Sequence, residues 1–207
     1  MKIKYIGHSC FYIESIKGKR IIFDPFPDSL GYDKIKEKAD LVLISHGHFD
    51  HNSIKDIEKP FMVIRKKGNH KACGIEIYGI SSFHDKNKGE LRGKNNVYYL
   101  TIDGIRIAHF GDIGDISRDF PQCDIAFIPI GGFYTIDTKE ALELAEKIDA
   151  KLFFPMHYKT RFVDFPIAGI DEILKDERTE ILNSDIFEVS KDMLPKKTKI
   201  IIFNKFR

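Results

Sequence analysis

Apolar and polar positions alternate in short runs through the first half of the chain. Lys2–Ile6, Cys10–Glu14 and Arg20–Asp24 read as strands, divided by turn chemistry at Gly7 and at Lys17-Gly18-Lys19. Leu41–Ser45 is apolar without interruption, the pattern of a strand covered on both faces. Asn52–Glu58 reads as a short helix that stops before Pro60. Phe61–Ile64, Ile75–Phe83, Val97–Ile102, Ile105–Phe110 and Ile125–Ile128 follow as strands, with a type I′ hairpin turn at Asp103-Gly104. Asp137–Asp149 is the clearest helix: Ala141, Leu142, Ala145 and Ile148 share one stripe, and Asp137 and Glu140 have capping-box spacing. Lys151–Pro155, Ile186–Val189 and Lys199–Phe203 are further strands, and Ile170–Leu174 and Arg178–Asn183 are weaker helix candidates. Many strands followed by strand-helix alternation predict a layered α/β or α+β fold.

A length of 207 residues predicts one domain over 1–207, since domains run to roughly 150 residues. With 43% hydrophobic and 31% charged residues the composition is that of a globular chain that buries a core. A net charge of +2 gives no strong field toward nucleic acid or membrane. No apolar run reaches the ~18 residues of a membrane span. His8 and Ser9 interrupt the stretch that a signal peptide keeps apolar, so the N-terminus reads as mature protein. Cys10, Cys73 and Cys123 are widely spaced, which suits small core residues and a reducing, cytoplasmic setting.

The chemistry begins where Leu41–Ser45 runs into His46-Gly47-His48-Phe49-Asp50-His51. Chance gives this ligand pattern roughly once in a thousand chains of this composition. Alternate residues of an extended segment point the same way, so His46 and His48 can share one ion. After the turn, Asp50 and His51 can face a second. One segment cannot fill two coordination spheres. His84, Asp112 and His157 each stand just past a predicted strand's carboxyl end, where open α/β sheets place their sites. Neither a nucleophile elbow nor a Gly-rich dinucleotide fingerprint is present to support another mechanism.

These pieces together resemble the metallo-β-lactamase superfamily, and within it the small metal-dependent hydrolases that include L-ascorbate-6-phosphate lactonases. The resemblance starts at Gly7-His8-Ser9 and Phe23-Asp24-Pro25 and passes through the His46–His51 block. It continues at Phe83-His84, His109-Phe110-Gly111-Asp112, Pro129-Ile130-Gly131-Gly132 and Pro155-Met156-His157-Tyr158. It implies a four-layer αββα sandwich of two mixed sheets. It also implies two divalent ions, Zn²⁺ first, with Mn²⁺ and Fe²⁺ open. His46, His48 and His84 would hold one ion, Asp50, His51 and His157 the other, with Asp112 bridging. Asp50 would also orient the nucleophile or take its proton, the nucleophile being a water held between the ions that attacks as hydroxide. Asp24 would orient a ligand imidazole. Ile113 departs from the Thr or Ser common in relatives, and the short chain leaves little room for the added domains that set substrate choice.

Two readings stand for several other residues. His8 either faces substrate or is a hydrogen-bonded structural histidine. His109 supports the site from behind or belongs to the core. Lys159, Arg161 and the basic 85–94 run, expected to be flexible, either meet an anionic substrate or are ordinary charged surface. Phe49, Phe133 and Tyr134 line a pocket or pack in the core, and His70 reads as solvated loop. The expected activity is hydrolysis of an ester, lactone or similar bond of a small molecule. The alternatives are a phosphodiesterase or nuclease on the same centre, iron-dependent redox chemistry, or a non-catalytic metal-binding module.

Overall fold

The computed structural model describes residues 1–206. Its strands are β1 (Lys2–Gly7), β2 (Cys10–Glu14), β3 (Arg20–Phe23), β4 (Leu41–Leu43), β5 (Met62–Ile64), β6 (Gly68–Ala72) and β7 (Ile75–Phe83). They continue as β8 (Lys94–Ile102), β9 (Ile105–His109), β10 (Ile125–Pro129), β11 (Leu152–Met156), β12 (Thr179–Leu182), β13 (Phe187–Glu188) and β14 (Lys199–Phe203). Two mixed sheets result, of six strands in the order β13-β1-β2-β3-β4-β5 and eight in the order β12-β14-β11-β10-β9-β8-β7-β6. In the first, β3, β4 and β5 run parallel and the rest antiparallel. In the second, β12 to β9 run parallel and β9 to β6 antiparallel.

The inner faces meet through aromatic rings. Phe11 of β2 lies 4.1 Å, centroid to centroid, from Phe127 of β10, and Phe23 of β3 stacks 4.8 Å from the His109 ring of β9. Each such large apolar side chain stabilises the fold by roughly 2–3 kcal/mol on burial. The one α-helix among the described residues, α1 (Thr138–Lys147), packs against β10. With α1 on one face and the other sheet on the other, β10 is buried at every residue. The capping box at Asp137 and Glu140 forms. Leu144 rather than Leu142 completes the buried stripe. The outer helical layers expected from the resemblance are thus thin, α1 being joined only by 3-10 turns. Among the described residues, no helix is long and apolar enough to cross a membrane.

Four local expectations change. Asn52–Glu58 forms turns, because the segment is too short to nucleate a helix alone and Ser53 N–H bonds to the Pro25 carbonyl instead. Arg178–Asn183 is not helical: Thr179–Leu182 pairs in parallel with β14 as an edge strand, a role suited to Thr179 and Ile181. Of Ile170–Leu174 only a 3-10 turn over Ile173–Lys175 forms. The segment read as solvated loop around His70 is instead β6, joined to β7 by Cys73-Gly74 at φ +53° and +77°. Asp103 and Gly104 also have positive φ, as a type I′ turn requires.

The strand directions matter for the site. The carboxyl ends of β1, β3, β4, β7, β9 and β11 lead directly into His8, Asp24, the Ser45-His46 step, His84, the Gly111-Asp112 step and His157. His157 N–H donates to the His8 carbonyl at 2.7 Å and ties one sheet to the other beneath this edge.

Candidate metal centre

The side chains singled out in sequence meet at that edge. Asp112 Oδ2 lies 3.1 Å from His51 Nε2, 3.1 Å from His84 Nε2, 3.2 Å from His157 Nε2 and 3.8 Å from His46 Nε2. His46 Nε2 is 3.1 Å from His48 Nδ1. The ligand-type atoms of His46, His48 and His84 all fall within 4.8 Å of one another. Those of His8, Asp50, His51 and His157 form a second such group. Asp112 lies between the two. Only His48 stands at the exposed rim, whereas His46, Asp50, His51, His84, Asp112 and His157 are buried.

Hydrogen bonds behind the imidazoles fix which ring nitrogen faces inward. Ser45 Oγ gives its one proton to Asp24 Oδ2, so it accepts from His46 Nδ1–H at 2.8 Å. His51 Nδ1–H donates to Asp24 Oδ2 at 3.0 Å, and His84 Nδ1–H to the Tyr134 carbonyl at 3.0 Å. In all three rings Nε2 is left as the inward, unprotonated atom. Asp24 is buried, and also accepts from Ser45 N–H at 2.7 Å. It therefore stands behind two of the imidazoles.

Such a set fits a cation. Nε2 lone pairs turned toward a carboxylate oxygen at 3.1 Å repel it unless positive charge lies between them. Among the described residues, His8 Nδ1, His51 Nε2, Asp112 Oδ1 and His157 Nδ1 are buried without hydrogen-bond partners. Buried polar atoms are otherwise almost always satisfied. In the absence of a cation the imbalance appears as proton affinity. Burial raises the Asp112 carboxyl, but His157 and His51 outweigh it and hold it well below the usual carboxylate range. Burial opposes charge on His51 too, yet Asp112 and Asp24 carry it well above the ordinary histidine value. His46, where burial dominates, is pushed down to about 3. Neutral imidazoles and carboxylates in this mixture are donors that a borderline divalent ion takes.

His8 is fully buried, and its Nε2–H donates to Asp50 Oδ2 at 2.9 Å. His109 is closed off from the centre. Its Nε2–H donates to the Ser9 carbonyl at 2.9 Å, and its Nδ1 accepts from Gly111 N–H at 3.2 Å, so it braces the turn before Asp112. Lys159 is not brought to the centre: its Nζ faces Asp164 Oδ1 at 3.4 Å, and it does not line the cavity.

Asn95 carries no recognisable signal in sequence, and Gly111 enters it only as part of the His109–Asp112 motif. Asn95 is fully buried and holds the Asp112 turn, accepting from Asp112 N–H at 3.1 Å and donating to the Phe110 carbonyl at 2.8 Å. Gly111, at φ +54°, passes so close to Asn95 Oδ1 and the Ser45 side chain that a Cβ would collide with both. Ser45 was visible only as the polar end of an apolar strand.

A cavity of about 360 Å³ opens over the centre, lined by Asp50, His84, Asp112 and His157 and walled by Phe49, Arg92, Tyr134 and Phe165. A larger, shallower concavity of about 740 Å³ lies elsewhere on the surface, between Asn69, Tyr78, Tyr99 and Gln122. Among the described residues, no cluster of metal-ligand side chains lies in it.

Residues 2–157 match the family described as the beta-lactamase superfamily domain. A UPF0173 metal-dependent hydrolase of Methanocorpusculum labreanum is 32% identical over 189 residues, covering 77% of this chain and 84% of its own length. The crystal structure of a candidate Zn-dependent hydrolase of the metallo-β-lactamase superfamily from Thermotoga maritima superposes with a TM-score of 0.82 at 33% identity, covering 98% of this chain and 97% of that one. A candidate metal-dependent hydrolase from Parabacteroides distasonis superposes with a TM-score of 0.66 at 26% identity, covering 84% of this chain and 88% of that one. A buried carboxylate ringed by inward-facing imidazoles at the strand ends of two mixed sheets thus comes with a match over three quarters of the sequence, and the chain belongs to the metallo-β-lactamase superfamily, among its metal-dependent hydrolases.

Proposed function

We propose that His46, His48 and His84 hold one divalent ion and that Asp50, His51 and His157 hold a second, with Asp112 between them. The pair serves to hydrolyse an ester, lactone or similar bond of a small molecule. The observation that carries this reading is Asp112 Oδ2, within 3.2 Å of an imidazole from each of three separate segments, the turn after β4 and the ends of β7 and β11. When bound, such ions would lower the pKa of a water at the centre toward neutrality and polarise the bond to be cleaved. The imidazole-rich donor set and the Thermotoga relative's description favour Zn²⁺, with Mn²⁺ and Fe²⁺ compatible with the same ligands.

The chain's own residues do the rest. Asp50 takes the proton of the attacking water, and His8 fixes the carboxylate's orientation through Oδ2. Asp24 and Ser45 keep His46 and His51 in the tautomers that present Nε2. Phe49 and Phe165 give the cavity an apolar wall. One core shared by both sheets supports reading the chain as one domain. The free thiols of Cys10, Cys73 and Cys123 support a reducing, cytoplasmic setting.

The test is elemental analysis after loading with Zn²⁺, Mn²⁺ or Fe²⁺, followed by assays on a neutral lactone, an aryl ester and bis(4-nitrophenyl) phosphate. Two equivalents of metal and turnover of the lactone or ester are expected. Turnover of the phosphodiester alone would move the assignment to phosphodiesterase, and stoichiometric metal without any turnover would leave a binding module. Asp24→Asn keeps the shape but replaces an acceptor with a donor amide, so zinc affinity should fall about 10- to 100-fold. Competition with a chromophoric chelator measures it, and an unchanged affinity would remove Asp24 from this role.

A further inference from the structure

His84 is followed by a segment that the sequence marks as basic and loose, but a single carboxylate organises it. Asp85, nearly fully buried, accepts backbone N–H bonds from Asn87 and Gly89 on Oδ1, at 2.8 and 3.0 Å. On Oδ2 it accepts from Leu91 and Arg92, at 3.2 and 2.8 Å. Four bonds to one side chain give the loop a defined shape, closed by Gly93 N–H to the Gly89 carbonyl and His84 N–H to the Gly93 carbonyl. The loop lays the Arg92 guanidinium over the rings of Tyr134 and Phe133, 5.4 and 5.8 Å from their centroids. Tyr134 is also the residue whose carbonyl accepts from His84.

Arg92 lines the same cavity as Asp50, Asp112 and His157. Among the described residues its side chain makes neither an ion pair nor a hydrogen bond, whereas nearby Lys86 is paired with Glu140 at 2.6 Å. Phe49 and Phe165 line that cavity as well. A planar guanidinium pre-oriented on aromatic rings, with its donors free, suits a two-oxygen anion and gives up little entropy in binding it.

We propose that Arg92 selects the substrate: it receives an oxyanion, carboxylate or phosphate, at the end remote from the bond cleaved, while an apolar segment lies against Phe49 and Phe165. The proposal rests on the hydrolase reading of the cavity, but its test reads binding rather than turnover. Calorimetric titration of the zinc-loaded protein would use 4-phenylbutyrate, 3-phenylpropylphosphonate and the neutral 4-phenylbutyramide. An anion should bind about tenfold or more tighter than the amide. Arg92→Ala should erase most of that preference, and Arg92→Lys should retain part of it, since charge survives without the planar fork. Asp85→Ala should reproduce the loss by releasing the loop. The tighter of the two anions names the group recognised. A preference that survives Arg92→Ala would place the anion on the metals and overturn the proposal, as would equal binding of anion and amide by the unaltered protein. A lack of hydrolysis on the assay panel leaves these affinities measurable, so the two readings fail separately.

Discussion

Asp112→Asn is expected to abolish the hydrolytic centre while leaving the protein folded. The amide has the carboxylate's shape, and its backbone N–H keeps the Asn95 bond. What it lacks is the charge on which His51, His84 and His157 converge. At least one equivalent of metal should be lost, and kcat/KM should fall about a thousand-fold, or ~4 kcal/mol of barrier. Elemental analysis and turnover on the substrate of the assay panel measure the two losses, and circular dichroism verifies the fold. Full metal content together with unimpaired turnover would show that Asp112 is not the residue between two ions.

Acid should destabilise the metal-stripped protein before its carboxylates protonate. Burial pushes His8 down to about 4 and His46 down to about 3. In the unfolded chain either imidazole takes up its proton near 6.5, as free histidine does. Between about 6.5 and 4 the unfolded state therefore binds more protons than the folded one, and stability falls with pH. His51 and His84 are shifted the other way, Asp112 outweighing the effect of burial on both. They are protonated in both states across this interval and add no slope there. Their stabilisation is lost instead as pH rises through their folded values. Asp24, Asp50 and Asp112 are held low, so their contribution persists until the pH drops below about 4. At about 1.4 kcal/mol per pH unit, one such histidine is worth roughly 3 kcal/mol over the interval. Since His8 and His46 lie in one charged cluster, about 3 kcal/mol is the expected total rather than twice that. Urea unfolding at pH 7 and pH 4.5, followed by far-ultraviolet circular dichroism, measures it. Equal stability at the two values would mean that these imidazoles are not buried neutral.

Local pattern went far in this chain where local physics decides. A hairpin with an Asp-Gly turn, an uninterrupted apolar strand and a capped amphipathic helix depend on neighbours within a few residues, and each occurs close to its expected bounds. Arg178–Asn183 misled because β12 exists only by pairing with β14, some 20 residues away. The 85–94 run is a largely exposed charged loop between β7 and β8, as its composition suggests; what composition did not show is that Asp85 turns inward and satisfies four backbone donors.

For the site, the amino-acid order alone determined which side chains are chemically able to take a metal and that each stands where a strand ends, because donor type and strand periodicity are written residue by residue. Tertiary structure decided what each does with its neighbours. It turned His8 onto Asp50, closed His109 onto Ser9 and Gly111, stood Asp24 behind His51, and brought Arg92 into the cavity while leaving Lys159 outside. Those outcomes turn on burial and on which backbone groups two packed sheets leave unsatisfied, quantities that exist only once residues far apart in the chain have come together.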